Sequence, residues 1–322
     1  MTEATVPLRI VAIRYEAQGV LSFVLRRPDG APLPPIDPGA HVDLHLPNGL
    51  MRSYSLSNGL GDAGAYRLTI ARDAKSSGGS IWLHDQLRVG QLLEVSAPRN
   101  NFTLTTAAPY SVFIAGGIGV TPFLSMIVSL NMAGKPWRLH YCVRTRDQAA
   151  LLEELETLAA AGKGELIPNF DEEPGGAMLD LGAVLAGLPV DAHVYCCGPG
   201  GMLDAFRAGA QAADIAEERI HFEYFSGDVA AATDGGYVVE CRRSAKDVAV
   251  QPGQTILEAL KAAGIDVPFS CEEGVCGSCE TRILSGVPDH RDLILSERER
   301  SEGKTMMVCC SGSKSERLVL DI

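Results

Sequence analysis

Six stretches in the first hundred residues alternate apolar and polar side chains: LRIVAIRYEA (8–17), GVLSFVLRR (19–27), HVDLHLP (41–47), RSYSLSN (52–58), YRLTIAR (66–72) and QLLEVSAP (91–98). Alternation with period two marks strands with one buried face, and turn pairs such as Pro38-Gly39 and Asn48-Gly49 separate them. Short strands at this spacing predict a small antiparallel β-barrel. From residue 111 the pattern changes. Apolar runs SVFIAGG, RLHYCVRT, ELIPNF and AHVYCCGP alternate with helix-period segments TPFLSMIVSLNMAG, AALLEELETLAAAG and GMLDAFRAGAQAAD, a βαβ layout that predicts a parallel sheet. Beyond residue 236, YVVECRRS, DVAVQPG, the helix TILEALKAAG and a closing RLVLDI outline a compact α+β unit.

Two breaks divide these patterns. TTAAPY (105–110) precedes the first buried strand of the parallel sheet, and GDVAAATDGG (227–236) has no periodicity and reads as a linker. The expected organisation is therefore multidomain: a β-barrel over 1–106, an α/β domain over 107–228, a linker over 229–236 and an α+β domain over 237–322. A length of 322 residues suits such a division. A net charge of −12 argues against a nucleic-acid partner, since phosphate binding needs clustered Lys and Arg. From Gly235 on, 11 basic residues face 14 acidic ones, so the last domain is not basic either. The N-terminus MTEATVPLRI lacks an apolar signal core and no long apolar window occurs; the expectation is a cytoplasmic protein without a membrane partner.

Nine cysteines in such a chain read as thiols or ligands rather than disulfides. Cys142, Cys196, Cys197 and Cys241 stand in apolar strand contexts and are expected in cores. SCEEGVCGSCE (270–280) differs: Cys271, Cys276 and Cys279 have the C-x4-C-x2-C spacing of a plant-type [2Fe–2S] loop. Gly274, Gly277 and Ser278 give the loop freedom to aim N–H groups at sulfur. Structural zinc would call for a second C-x2-C pair or histidines, and a Rieske centre for two histidine ligands; the segment has neither. The fourth ligand lies in MMVCCS (306–311). Neighbours on an extended segment face opposite ways, and Cys309 is the choice over Cys310.

A [2Fe–2S] centre passes electrons one at a time, so a source of single electrons is needed. In SSGGSIWLHDQL (76–87), Gly78 and Gly79 lead into a short helix with Ser80 as its expected N-cap, an anion site to which Arg52 adds a charge. FIAGGIGVTPFLSM (113–126) carries a strand into Gly116, Gly117 and Gly119, with Thr121 as expected N-cap and Pro122 at the first helical position. YCCGPGGML (195–203) repeats the design. Two such turns at the C-terminal ends of parallel strands mark a ligand crevice.

RSYSLSN, GGS, AGGIGVTP, HVYCCGP, HFEYF and the cysteine loop, in this order along nearly the whole chain, resemble the phthalate dioxygenase reductase family. The resemblance implies FMN in the barrel, NADH on the parallel-sheet domain, and electrons leaving through a C-terminal plant-type ferredoxin domain to a Rieske-type oxygenase met transiently by a monomeric reductase. It also implies roles. Arg52, Ser53, Tyr54 and Ser55 hold the flavin, Thr69, Ile70 and Ala71 line it, and Ser77, Gly78, Gly79 and Ser80 hold its phosphate. Thr121 brings the nicotinamide toward the flavin, Gly117 borders the turn, Cys197, Gly198 and Pro199 flank the nicotinamide, and Phe225 covers the ring. Ser57 stands where some relatives have Cys, and Ala71 and Ser77 replace longer basic residues.

No side-chain general base is expected to be essential; Glu223 is the best polar candidate near the ring, with Thr121, while His84, His140 and His193 are expected to be structural. Asp171, with Glu172 and Glu173, would repel a 2′-phosphate, which favours NADH over NADPH despite Arg144 and Arg146. Ser80 runs straight into IWLHDQLRVGQLLEV with little spare chain for an adenine shelf, which favours FMN over FAD, and Trp82 is expected in the core. The alternatives are a reductase that uses FAD or serves a haem monooxygenase, and a ferredoxin-like carrier without NADH oxidation.

Overall fold

The computed structural model describes residues 5–59, 62, 64–73, 78–225, 227 and 229–322. They divide into two compact units, the boundary along the chain falling after Phe225.

The first unit, Thr5–Phe225, opens with strands β1 (Thr5–Ala17), β2 (Val20–Arg26), β3 (His41–His45), β4 (Met51–Ser55), β5 (Tyr66–Ala71) and β6 (Leu92–Ser96), with helix α1 (Gly79–Gln86) before the last. The order β4-β3-β6-β1-β2-β5 is closed by a bridge between Leu56 and Leu68. Leu8/Ile10, Phe23/Leu25, Val42/Leu44, Leu68/Ile70 and Leu93/Val95, each pair two apart, fill its interior. The alternation read from the sequence is this inward face, and closure removes the open sheet edge.

The same unit continues with β7 (Ser111–Gly116), α2 (Thr121–Met132), β8 (Trp137–Val143), α3 (Leu152–Ala161), β9 (Gly164–Phe170), α4 (Leu181–Ala186), β10 (His193–Cys197), α5 (Gly200–Ala212) and β11 (Ile220–Glu223). All pairings are parallel in the order β11-β10-β7-β8-β9. Every residue of β7 is buried, as expected of a strand covered on both faces. The chain leaves β7 toward one side and later returns to build the other, so the topological switch lies between β7 and β10.

Barrel and parallel sheet are tied together. The Gln18 N–H donates to Asp147 O at 2.9 Å and the Gly39 N–H to Ser125 Oγ at 3.1 Å. Arg67 Nη1 meets Glu154 Oε2 at 2.9 Å with an Arg67 side chain only 5% exposed. Ala17, Val20 and Ala71 of the barrel pack into the core of the parallel-sheet domain.

The second unit contains β12 (Tyr237–Cys241), β13 (Lys246–Val250), α6 (Ile256–Ala262), β14 (Glu280–Ser285), β15 (Pro288–Asp289), α7 (Glu297–Glu302), β16 (Thr305–Met307), β17 (Gly312–Ser313) and β18 (Arg317–Leu320). The main sheet runs β13-β12-β18-β14-β16, with β12 and β18 parallel. Thr255 and Glu258 form a capping box on α6, which buries Ile256, Leu257, Ala259 and Leu260. Residues 229–236 carry no helix or strand, as their composition implies, but they are not a loose tether: the Ala232 N–H donates to Cys310 O at 2.8 Å, and Thr233 O accepts from the Gly253 N–H at 2.7 Å.

Candidate functional site

Thiolate chemistry sets the geometry of the second unit. The loop between α6 and β14 reverses through Glu272, Gly274 and Gly277, all with positive φ. Glu272 has no glycine freedom at φ 60°, so the loop holds a rare left-handed residue beside the first cysteine. The sulfurs stand as two pairs, Cys271 with Cys276 and Cys279 with Cys309. The Cys271 N–H points at Cys276 Sγ (3.5 Å), the Glu273 N–H at Cys271 Sγ (3.3 Å), and Cys276 Sγ is 3.2 Å from Ser278 Oγ. The hydrogen bond from Cys271 pulls the Cys276 thiol down to about 6, and those from Cys279 and then Cys310 pull Cys309 down to about 4. Two thiolates for each of two irons, with backbone N–H groups aimed at sulfur, fit a [2Fe–2S] cluster. Cys310 is buried instead with its Sγ 2.7 Å from where a Cβ on Gly274 would stand. The other four cysteines, Cys142, Cys196, Cys197 and Cys241, are buried as expected.

In the first unit the two glycine turns flank the switch point. Gly116 ends β7, Cys197 ends β10, and Gly198 and Pro199 follow it. An ideal Cβ on Gly119 would fall 2.2 Å from Cys197 O, and one on Gly116 would fall 2.7 Å from Pro199 Cδ. Part of the glycine signal is therefore packing of turn against turn, which sequence reading had assigned to ligand approach. Gly117 differs, with φ 54° and open space around its missing side chain; Gly200 and Gly201 also face open space at the start of the thirteen-residue α5. These three positions can admit a phosphate or ring to the backbone. A short 3₁₀ turn, Gly117–Val120, intervenes before α2, so the N-cap is Val120 rather than Thr121. Thr121 is the first helical residue and spends its hydroxyl on Ile118 O at 3.0 Å.

Glu223, at the end of β11, stands in register with Cys197. Its Oε2 is buried without a hydrogen-bond partner, and burial pushes the carboxyl up to about 8. A carboxylic acid held protonated at the crevice has the character of a functional group. Phe225, two residues on, is 39% exposed. Asp171 follows β9 with Oδ1 buried and unpartnered.

On the barrel, α1 begins at Gly79 with Gly78 as its cap at φ 106°, not Ser80. Ser80 is the second helical residue, and its hydroxyl accepts from the Asp73 N–H at 3.2 Å. The cap supplies no side-chain acceptor, and the Arg52 side chain lies across Gly79, its Cγ 2.6 Å from the ideal Cβ. Helix start and guanidinium thus sit together, as an anion cradle requires. Ser77 lies outside the described residues. On β4, Ser53 donates to Asp43 Oδ1 at 2.6 Å, and Arg99 pairs with the same buried carboxylate. Burial raises the Tyr54 phenol, and Ser55 is buried. Thr69 Oγ1 is 2.7 Å from Ser22 Oγ and 2.8 Å from Ser57 Oγ. The Ile70 side chain is in the barrel core and its carbonyl meets His84 Nε2 at 2.9 Å. Both side chains are thus turned to the barrel interior or its hydroxyl contacts, while Ala71 packs toward the parallel-sheet domain. Sequence reading missed the Ser22–Thr69–Ser57 hydroxyl ladder and the Asp43–Arg99 pair, whose members lie too far apart in sequence to form a motif. His193 Nδ1 pairs with His221 Nε2 at 2.9 Å.

Comparison with known proteins agrees with this division. The family described as the 2Fe-2S iron-sulfur cluster binding domain matches residues 239–313, and the oxidoreductase NAD-binding domain matches 113–208. The phenoxybenzoate dioxygenase subunit beta of Ectopseudomonas oleovorans is 51% identical over 100% of this chain and 98% of its own. An intact type IV self-sufficient cytochrome P450 monooxygenase matches at TM-score 0.86 and 35% identity over 99% of this chain, which spans 41% of that one. The structure of phthalate dioxygenase reductase, described as modular for electron transfer from pyridine nucleotides to [2Fe–2S], matches at TM-score 0.74 and 36% identity over 99% of this chain and 98% of its own. Matched from end to end, with an NAD-binding and a 2Fe-2S domain in one polypeptide, this oxidoreductase belongs to the phthalate dioxygenase reductase family.

Proposed function

We propose that the chain is the reductase component of a multicomponent Rieske-type oxygenase, oxidising NADH on FMN and passing electrons through its [2Fe–2S] domain to the oxygenase. The observation that carries this reading is the presence in one chain of a crevice suited to a two-electron donor and a four-thiolate loop suited to a one-electron carrier. The high identity to a chain named as a dioxygenase subunit supports the acceptor. When bound, FMN supplies the conversion of one electron pair into single electrons. The chain's part is to bind, orient and exclude water: the α1 start with Arg52 would hold the flavin phosphate, the β4 and β5 backbone would line the ring, and Glu223 would keep a protonated carboxyl at the crevice.

NADH is favoured over NADPH by charge. Arg144 is 3.5 Å from Glu172, and Arg146 is 3.7 Å from Glu156 with its N–H on Glu173 Oε1, so both cations face carboxylates near Asp171. FMN is favoured over FAD because α1 passes to β6 within a few residues and Trp82 packs on the barrel core. Release by acid and chromatography tests the flavin; a peak at FAD overturns that choice. Equal kcat/KM with NADPH overturns the nucleotide. A second acceptor, a haem monooxygenase, is favoured by the match at TM-score 0.86. Mixing the reduced chain with a Rieske oxygenase or a ferric P450, and following each acceptor's spectrum, separates the two.

A further inference from the structure

The second unit holds a cavity of about 560 Å³ that neither nucleotide nor cluster chemistry uses. It lies between the two-stranded β15–β17 sheet and the end of α7, walled by Val287 and Pro288 and lined by His290, Arg300 and Lys314. Its size is that of a small-ligand site.

Buried nitrogens without partners face this space. The His290 side chain is 9% exposed, yet neither ring nitrogen has a hydrogen bond, and Arg300 Nε is buried and unpartnered as well. Native structures rarely leave such groups unsatisfied unless water or a ligand completes them. The acidic residues nearby are already engaged. Glu302 pairs with Lys304 at 2.7 Å and Arg298 at 3.2 Å, Asp289 with Arg291 at 2.8 Å, and Asp292 Oδ2 accepts from the Leu295 N–H at 2.8 Å. Lys314 is 3.5 Å from Asp289 but 64% exposed, with two further N–H donors to give.

We propose that this cavity binds a protonated oxyanion of the phosphate type. Burial lowers the proton affinity of His290, so its neutral ring offers one donor and one acceptor nitrogen. Arg300 and Lys314 supply charge. Monohydrogen phosphate carries acceptor oxygens for the cations and one O–H for the acceptor nitrogen, which sulfate lacks. Occupancy would be felt at the cysteine loop. Asp292 lies 3.7 Å from His290 Nδ1 and 3.8 Å from Arg300, and its Cα is 3.2 Å from the ideal Cβ of Gly274; the next residue, Leu293, donates its N–H to Gly274 O at 3.0 Å. A dianion there makes addition of an electron to the cluster less favourable.

The test uses the full chain loaded with flavin and cluster and kept saturated with NAD⁺, so that the nucleotide cradles are filled. Inorganic phosphate, sulfate and a phosphate monoester are titrated by calorimetry, and the cluster's reduction potential is read by spectroelectrochemistry. Expected are saturable phosphate binding at the millimolar level, sulfate weaker by about tenfold, equal to the loss of roughly one hydrogen bond, and a lower potential with phosphate present. The monoester dianion, like sulfate, has no O–H and should bind as weakly as sulfate; a monoester that binds as tightly as inorganic phosphate would overturn the part given to the acceptor nitrogen of His290. Arg300→Gln and Lys314→Gln should each weaken phosphate binding several-fold. Because Arg300 also bonds Asp292 O, the exposed Lys314→Gln variant with an unchanged cluster spectrum guards against misfolding. No saturable binding, or binding untouched by Lys314→Gln and Arg300→Gln, overturns the proposal and leaves the cavity to water.

Discussion

Gly119→Ala tests whether the contact between the two glycine turns sets the geometry of the crevice. The new Cβ would stand 2.2 Å from Cys197 O and 2.9 Å from Gly198 N, both backbone atoms that cannot swing aside. Ordinary carbon–oxygen contacts lie near about 3.3 Å, so the turns must part by about 1 Å. A displacement of that size between bound reactants can cost roughly 100-fold in rate, and overpacking costs about 1–3 kcal/mol of stability. The assay is single-turnover reduction of the flavin by NADH, followed in stopped flow. The expectation is a rate lower by about one to two orders of magnitude with the flavin still bound, because the phosphate cradle proposed at Arg52 and Gly79 belongs to the barrel. Gly200→Ala is the control. Nothing lies within 4 Å of its Cβ position and its φ is ordinary, so the turns keep their spacing and the rate at saturating NADH should stay within about twofold of wild type, a methyl facing the ligand showing instead as weaker NADH binding. A Gly119→Ala enzyme as fast as wild type would refute the claim that this contact positions the turns, and a Gly200→Ala enzyme as slow as Gly119→Ala would assign the effect to helix α5.

Serine at Cys271, Cys276, Cys279 or Cys309 should abolish the iron–sulfur absorption while NADH oxidation by an artificial two-electron acceptor persists; Cys310→Ser should keep the absorption, and its loss there would reassign the fourth ligand. Glu223 has its folded pKa raised from 4.5 to about 8, so the folded state retains a proton that the unfolded chain releases, and the stability of the flavin-free chain should fall as pH rises between those values. Glu223→Gln should flatten that slope in thermal melts, and an unchanged slope would show the carboxyl to be solvated. Asp171→Ala should narrow the preference for NADH over NADPH, measured as a ratio of kcat/KM; a wider ratio would remove Asp171 from nucleotide recognition.

Legibility from sequence followed the range of the interactions. Period-two strands of the barrel and the buried runs of β7 and β10 were visible because burial acts on each residue through its own strand. The cysteine loop was visible because three of its four ligands lie within nine residues. The helix starts were misplaced by local detail: at α1 a left-handed Gly78 caps where Ser80 has the better capping side chain, and at α2 the last residue of a 3₁₀ turn, Val120, is the cap, so that Thr121 is already helical. At six residues α4 is too short to show a period, and α7, ERERSE, has no apolar position to show one. Arg67–Glu154, Asp43–Arg99 and Ser22–Thr69–Ser57 join residues from distant strands and helices. Only the closed barrel and its contact with the parallel sheet reveal them.

The strand order of the barrel also bears on how the chain is made. β6 sits between β3 and β1, so the sheet cannot be completed until residue 96 has been synthesised. At about 5–20 residues per second, the hundred residues that hold the barrel take roughly 5–20 s to emerge. During that interval β1 and β3 each present an unpaired edge to the crowded surroundings of the ribosome. Arg9, Arg14 and Glu16 punctuate the thirteen residues of β1 with charge, where an uninterrupted apolar strand would recruit other nascent chains. Neutralising those three positions should lower the yield of soluble protein from rapid expression far more than it changes the melting temperature of the protein that folds.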